Sequence, residues 1–127
     1  LQAAYSYRLT WARLFYMYGD DQPASSLYSS LKAAAAAGRR EFPMSGGEQL
    51  RDYLPVDEVA RRLADLASQP ADRGAVNVCS GKPVSVRQLV ETWIARNGWA
   101  VAPRYGELPY PDYEPMMFWG DPGDKSF

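Results

Sequence analysis

Histidine is absent from the sequence, and Cys79 is its single cysteine. The absence of histidine excludes Ser–His–Asp triads, histidine general bases and most zinc sites from this chain. One cysteine cannot form an intrachain disulfide or a CxxC pair, and its apolar surroundings, AVNVCS, predict a buried small side chain. We therefore expect neither a resident metal nor thiol chemistry.

Excess charge and long apolar runs are also missing. The chain carries 14 Lys and Arg against 15 Asp and Glu, a net charge of −1. The basic pairs Arg39–Arg40 and Arg61–Arg62 are too short to form the electrostatic footprint of a nucleic-acid-binding protein. No run is long enough to span a bilayer and no signal peptide is visible, so we expect a cytoplasmic chain without nucleic-acid or membrane partners.

The composition that remains is typical of a globular chain. With 127 residues, 46% hydrophobic and 23% charged, it is long enough for one compact domain. The stretches TWARLFYMYG, LRDYLPV and GAVNVCS predict strands, the last covered on both faces. Helical patterns alternate with these strands, and Leu1–Tyr7 is interpreted as the tail of a helix. We therefore predict an α/β fold with mixed strands and helices in layers.

Helix boundaries are marked by capping residues. Ser85 and Gln88 form a capping-box pattern, and Asn97–Gly98 marks the end of the helix that follows. Asp57 is predicted to be the N-cap of an earlier helix. Each helix carries one apolar stripe that should face the core. The stripe residues are Val59, Leu63, Leu66 and Ala67 in the earlier helix, and Val86, Leu89, Val90 and Trp93 in the later one.

Arg51 follows a glycine pair, Gly46–Gly47, and begins the segment RDYL. Strand alternation places Arg51 and Tyr53 on one face and Asp52 on the other. An arginine fork suits phosphate, and glycines let a ligand approach the backbone, but the stretch is equally compatible with an ordinary loop. On the residues alone, a salt bridge from Arg51 to an acidic neighbour is the favoured interpretation.

Three segments in order resemble one protein family. ARLFYMYGDDQ matches its R-[LIF]-F-N-x-Y-G strand end, and GGEQLRDYLPVDEVA matches its G-x-G-x-x-R-D-[YFW]-x-x-V-x-D-x-A segment. GAVNVCSG matches its G-x-x-x-N-[VI]-x-[ST]-G segment. Together, from Trp11 to about Leu89, they resemble the C-terminal portion of the extended short-chain dehydrogenase/reductases, the NAD-dependent nucleotide-sugar epimerases and dehydratases.

The resemblance implies a C-terminal fragment of a Rossmann-like enzyme. Residues 1–127 would form a single substrate-binding region, while the dinucleotide loop and the catalytic Tyr-x-x-x-Lys of the family would precede it. The chain alone would then have no catalytic residues and no activity. Tyr28 and Lys32 do form Tyr-x-x-x-Lys, but they follow the matched strand instead of preceding it, so we interpret them as structural.

The resemblance also assigns residues to a nucleotide-sugar substrate. Arg51 would contact its diphosphate. Phe42, Pro43 and Ser45 match the family's L-P-I-x-G piece, which packs against the nucleotide base, although core packing of Phe42 is an equal alternative. With the family match, the ligand interpretation of Arg51 becomes the favoured one.

Further assignments fall near the sugar and the cofactor. Phe15 would lie beside the nicotinamide, and Tyr16 would lie beside the sugar, where the family usually has Asn. Glu114 matches the acid that holds the ribose, whereas Pro111 stands where a second diphosphate arginine is usual. Arg104 could supply that second arginine from another register.

The resemblance leaves the exact reaction open. It implies the substrate-binding part of an epimerase, dehydratase or reductase that uses NAD or NADP, and a non-catalytic binding module on the same fold is the alternative. The aromatic residues of the tail could stack on a ligand, although packing is the favoured interpretation: Tyr105, Tyr110, Tyr113 and Trp119. Strands TWARLF and AVNVCS would leave open edges in isolation, so we expect a homo-oligomer.

Overall fold

The computed structural model describes residues 4–123 and is a mixed α/β fold. Residues 4–9 form a turn and irregular backbone, so the helical interpretation of Leu1–Tyr7 is wrong for residues 4–7, and residues 1–3 lie outside the described part. The strands are β1 Thr10–Leu14, β2 Tyr16–Tyr18, β3 Glu41–Pro43, β4 Leu50–Arg51, β5 Tyr53–Pro55, β6 Gly74–Val78, β7 Val84–Ser85, β8 Ala102–Arg104 and β9 Met117–Phe118. The helices are α1 Leu27–Ala36, α2 Val56–Ser68 and α3 Val86–Asn97.

Most strand pairs are parallel. β1 pairs with β6, β2 with β5, and β3 with β8, all in parallel, while β4 lies between antiparallel β7 and parallel β9. The predicted strand TWARLFYMYG is divided at Phe15 into β1 and β2, which pair with different partners. Since parallel pairs need crossover connections, the helices lie between the strands, as the alternating pattern predicted.

Strands β1 and β6 with helix α2 form what we call the sheet lobe. Its core contains Leu54, Val59, Leu66, Val76 and Val78. The expectation that β6 is covered on both faces is wrong, because Ala75 and its partner Trp11 are exposed. Helix α2 covers one face of this pair, and no element within residues 4–123 covers the other.

Helices α1 and α3 with strands β3 and β8 form what we call the cavity lobe. Its core contains Leu31, Met44, Val86, Leu89, Val90, Trp93 and Val101, so the predicted stripe of α3 is confirmed. The Ser85 hydroxyl accepts a hydrogen bond from the Gln88 amide, and Gly98 ends the helix in the left-handed conformation, as both motifs predicted.

Helix α2 begins differently from the prediction. Asp57 is not its N-cap, because β5 continues to Pro55 and the helix begins at the next residue. Asp57 and Glu58 instead occupy the first turn, where negative charge interacts favourably with the helix dipole. Ala67, placed in the apolar stripe by the pattern, is exposed near the end of the helix.

Candidate functional site

A cavity of about 480 Å³ lies between helix α1, strands β3 to β5 and the segment 108–114. We call it the main cavity. Every residue assigned to the substrate by the sequence lines it: Tyr16, Phe42, Pro43, Ser45, Arg51 and Glu114. These residues come from four separate stretches of the chain, and the fold brings them together.

Arg51 is both a cavity residue and an ion-pair partner. Its side chain is only 3% exposed, and its Nη2 lies 3.3 Å from Glu114 Oε2. Nη1 donates to the Leu50 carbonyl at 2.9 Å, and the guanidinium carbon lies 5.8 Å from the centre of the Tyr16 ring. Arg51 therefore both forms the salt bridge and lines the main cavity. Its role in binding a ligand stays a prediction.

The neighbouring Asp52 serves the protein interior. It is fully buried and accepts hydrogen bonds from the backbone amides of Ser80, Gly81 and Gly120, at 2.7, 2.8 and 3.3 Å. Its carboxylate thus joins the β4–β5 segment to the end of β6 and to the tail. The predicted division of faces between Arg51 and Asp52 is confirmed.

Aromatic rings form the wall beside Arg51. The Tyr16 and Tyr53 rings stack with centroids 5.2 Å apart, and Phe118 meets Tyr16 edge-on at 6.1 Å. Burial, with a smaller contribution from Tyr16, raises the pKa of Tyr53 to about 12, so this phenol is neutral at physiological pH. The wall combines flat apolar surface with phenol groups.

The glycine pair before Arg51 is structural. A Cβ on Gly46 would collide with the Tyr110 hydroxyl, and Gly47 has a φ of +70° with the Arg87 backbone 3.0 Å from its Cβ position. Neither glycine lines the main cavity. The two glycines allow the backbone to pack closely against helix α3 and the tail. They do not provide the close approach of a ligand to the backbone that the sequence suggested.

The comparisons with known proteins bear on this geometry. The model of the NAD dependent epimerase/dehydratase family matches residues 1–79. The chain belongs to the NAD-dependent epimerase/dehydratase family. The family resemblance, the Rossmann-like fold class and the NAD(P) cofactor class of the family expected from the sequence are thereby confirmed.

Individual relatives of this epimerase/dehydratase-family chain act on nucleotide sugars. A dTDP-6-deoxy-L-talose 4-dehydrogenase (NAD(+)) from Aggregatibacter actinomycetemcomitans is 31% identical over 88% of the chain. The structure of a UDP-glucose 4-epimerase from Thermotoga maritima with UDP-glucose is 25% identical, with a TM-score of 0.77 over 96% of the chain.

A UDP-N-acetylglucosamine 4-epimerase from Methanobrevibacter ruminantium in complex with UDP-N-acetylmuramic acid has a TM-score of 0.79 over 97% of the chain at 23% identity, which shows the shared fold. The chain spans about two fifths of the length of each of these three relatives.

The dinucleotide used by the family does not fit the described residues alone. Phosphate cradles of this kind need a glycine turn that opens a helix, and the Cβ positions of Gly46 and Gly47 already face Tyr110 and Arg87. Phe15, assigned to the nicotinamide, is half-buried and stacks on Phe118 at 5.4 Å without lining the main cavity. Its role beside the nicotinamide remains a prediction.

The alternative second arginine lies elsewhere. Arg104 pairs with Glu41 at 3.2 Å and with Glu107 at 3.1 Å on the surface, and it does not line the main cavity. Pro111, at the position where the family usually has that arginine, does line it. Arg51 is therefore the single arginine among the described residues that line the cavity.

Gln49 lines the main cavity and was missed by the sequence analysis. It is buried, and its Nε2 donates to the Ser45 hydroxyl at 3.3 Å. Strand alternation could have found it, because it precedes Arg51 by two residues and so shares its face. The α1 wall, with Ser25, Leu27 and Ser30, had no comparable signal because it depends on tertiary packing.

Tyr28, Lys32 and Cys79, which the sequence analysis interpreted as structural, make contacts within the protein. Lys32 pairs with Asp20, and the Tyr28 ring packs on Trp93 with centroids 5.1 Å apart. Cys79 is buried, and burial with the nearby Asp52 carboxylate raises the pKa of its thiol, which disfavours a nucleophilic thiolate.

The tail aromatics divide into two groups. Tyr105 donates to Glu91 at 3.0 Å and stacks under Arg87, and the Tyr110 hydroxyl accepts from the Glu48 amide at 3.2 Å. The packing interpretation is therefore confirmed for these two. Tyr113 is 85% exposed, so the packing interpretation does not hold for it, whereas Trp119 is about half-buried and its role stays a prediction.

Two classes of feature are missing from the part of the chain that the structure describes. Across residues 4–123 no cluster of three or more Cys, Asp or Glu side chains is placed to hold a metal ion. None of the helices in this range is long and apolar enough to cross a membrane.

Proposed function

We propose that this chain is the substrate-binding region of an NAD(P)-dependent nucleotide-sugar epimerase, dehydratase or reductase. The observation that carries the proposal is the convergence of six assigned residues on one cavity that contains a buried arginine. Family membership supports the substrate class, and the length of the relatives supports a parent protein whose remaining part holds the dinucleotide and the catalytic pair. The chain alone is then inactive.

Arg51 is proposed to bind the diphosphate by exchanging partners. Its guanidinium has five N–H donors, and the ion pair with Glu114 is long enough to be replaced by a closer contact with the diphosphate, which carries one negative charge on each phosphoryl group. The released Glu114 carboxylate, about one-third exposed, becomes free to accept hydrogen bonds from ribose hydroxyls. The two side chains that pair with each other thus each bind one part of the ligand.

The remaining assignments follow the cavity walls. Phe42 and Pro43 offer a flat apolar surface for the base, with the Ser45 hydroxyl at its edge. Tyr16 presents its ring beside Arg51, where the sugar attached to the diphosphate would lie. Phe15, behind this wall, is proposed to meet the nicotinamide end of the cofactor in the parent protein. A cytoplasmic homo-oligomer remains part of the proposal.

The proposal is tested by calorimetric titration of UDP-, dTDP-, CDP- and GDP-sugars against the wild-type chain and Arg51→Ala. We expect one of the nucleotide sugars to bind and Arg51→Ala to weaken it by about 10- to 100-fold, the value of one charge-assisted contact. Arg61→Ala is the matched control, because Arg61 forms ion pairs with Glu58 and Asp65 on the outside of α2.

A non-catalytic binding module is the second candidate. It is favoured by Pro111 and Tyr16, which line the main cavity where the family usually has an arginine and an asparagine. If none of the four nucleotide sugars binds, or if Arg51→Ala binds as the wild type does, the enzyme proposal is wrong and the module is favoured.

A further inference from the structure

One wall of the main cavity is a short segment that is tied to the rest of the chain at both ends. We call residues 109–115, PYPDYEP, the strap. Directly before it, the Leu108 amide donates to the Met44 carbonyl at 3.2 Å. Directly after it, the Met116 carbonyl accepts from the Leu50 amide at 2.8 Å, where strand β9 joins β4. Backbone hydrogen bonds therefore fix both ends of the strap.

The backbone between these two ends has few ties. Three of the seven strap residues are proline, which has no N–H to donate. Within residues 4–123, the strap backbone forms one hydrogen bond, from the Glu114 amide to the Pro111 carbonyl at 3.1 Å, which lies inside the strap. No strap residue is buried. Few buried contacts and few backbone hydrogen bonds are the features of segments that open locally while the rest of the fold stays intact.

Two side chains hold the middle of the strap. The Tyr110 hydroxyl accepts from the Glu48 amide at 3.2 Å, and it fits over Gly46, where a Cβ would lie 2.4 Å from the hydroxyl oxygen. The Glu114 carboxylate pairs with Arg51 at 3.3 Å. Among the described residues, one neutral hydrogen bond and one ion pair thus attach the strap to the segment 46–51.

The ion pair occupies the cationic group of the main cavity. Arg51 and Glu114 are the two charged side chains among the described residues that line this cavity. Pro111, on the strap, stands where the family usually has a second arginine and adds no charge. An anionic ligand must therefore displace the Glu114 carboxylate to reach a cation, and the displacement lowers its apparent affinity.

We propose that the strap is an autoinhibitory latch, in which Glu114 competes with ligand anions for Arg51. A diphosphate that takes the place of Glu114 removes the ion pair and leaves the Tyr110 hydrogen bond alone to hold the strap, which then detaches between its two fixed ends. The latch rests on the proposed function, since it requires Arg51 to bind the diphosphate. It adds that the same carboxylate opposes the first step of binding.

Inorganic pyrophosphate is the probe for this competition, because it has two linked phosphoryl groups and no base, ribose or sugar. In calorimetric titrations we expect Glu114→Gln to bind it about fivefold more tightly than the wild type, the value of one partly exposed ion pair. Arg51→Ala should bind it at least about tenfold more weakly. The glutamine oxygen still accepts from Arg51, so the buried guanidinium keeps a partner.

Glu107→Gln is the matched control. It removes the same charge from a glutamate just before the strap, but Glu107 pairs with Arg104 and does not line the main cavity. We therefore expect its affinity for pyrophosphate to equal that of the wild type. An equal gain in both glutamine variants would assign the effect to net charge and overturn the latch.

Hydrogen exchange of the Glu48 amide measures the movement of the strap, because this amide donates to Tyr110. Tyr110→Phe removes the acceptor and provides the exchange rate for a detached strap. We expect saturating pyrophosphate in the wild type, and Glu114→Gln without ligand, each to accelerate the exchange toward that rate. A tighter affinity with unchanged exchange would show an electrostatic effect without movement, which overturns the latch.

The latch and the proposed function fail in different ways. If Glu114→Gln binds pyrophosphate as the wild type does while Arg51→Ala loses affinity, the latch is wrong and the role of Arg51 in the proposed function stands. If Arg51→Ala binds as the wild type does, or if pyrophosphate binds none of the variants, that role is wrong and the latch falls with it.

Discussion

The cavity lobe and the sheet lobe each contain two strands, with two helices in the first and one in the second, and they differ in how completely they are covered. In the cavity lobe, Trp93 is surrounded by aromatic rings and is 2% exposed. In the sheet lobe, Trp11 of strand β1 is 67% exposed, on a face without a covering element among residues 4–123. The cavity lobe is therefore the more completely packed of the two, and we expect most of the chain's stability to come from it.

Replacing the same residue type in the two lobes tests this difference most directly. Trp93→Ala should lower the free energy of unfolding by about 4 kcal/mol, because it removes a large buried ring, whereas Trp11→Ala should change it by at most about 0.5 kcal/mol. Urea denaturation followed by circular dichroism measures both, with Trp93→Phe as a milder variant if Trp93→Ala fails to fold. Equal losses would contradict the comparison.

The joint between the β4–β5 segment, the end of β6 and the tail depends on Asp52. Asp52→Ala would leave three backbone amides without their acceptor and should destabilise the chain by about 3 kcal/mol. Asp57→Ala is the matched control, since Asp57 is exposed in the first turn of α2. Hydrogen exchange of Ser80 and Gly81 should accelerate in the Asp52 variant, and unchanged exchange there would show that other contacts hold the joint.

The uncovered face of the sheet lobe should drive association. We expect the isolated chain to self-associate as its concentration rises, and Trp11→Lys to shift that equilibrium several-fold toward the monomer, because it removes the exposed ring and adds a second positive charge beside Arg13 on that face. Light scattering over a concentration series measures the effect. A wild-type chain that stays monomeric at high concentration would remove the sheet lobe as an interface.

Alkaline pH should affect the cavity lobe, with the smallest of these effects. Burial raises the pKa of both Tyr53 and Tyr105 to about 12, and the Glu91 carboxylate contributes at Tyr105. Between pH 10 and 12 the folded chain then binds more protons than the unfolded one, so stability is full below pH 10 and falls as pH rises. The double variant Tyr53→Phe and Tyr105→Phe should flatten that fall in urea titrations. If the stability of the double variant fell by the same amount, titratable groups other than these two tyrosines would be responsible for the loss.

Local patterns predicted those features of the fold that depend on nearby residues. The prediction of helix α3 was correct for its N-cap, its apolar stripe and its C-terminal end, because Ser85, Trp93 and Gly98 act within one helix. The N-cap at Asp57 failed because the start of α2 depends on where strand β5 ends. The covering of β6 failed because an apolar run does not reveal whether a neighbour is present to cover it.

The residues of the candidate site also divide into those that the sequence predicted and those that it did not. Alternation along the RDYL segment and the family motif placed Arg51 in the cavity, and the motif also brought in Glu114 from the distant tail. Ser25, Leu27 and Ser30 were not predicted to line the cavity, because their position beside strands β3 to β5 depends on tertiary packing that leaves no signal in the local sequence.

Gly120 lies where both lobes and the tail meet, and its amide donates to Asp52 at 3.3 Å. A Cβ there would lie 2.5 Å from the Cys79 sulfur and 2.9 Å from Phe15 Cζ, closer than real Cβ atoms approach other heavy atoms. Every encoded amino acid other than glycine would therefore act as a wedge. If this codon were randomised and the clones sorted for folded protein, we would expect glycine to be recovered almost alone.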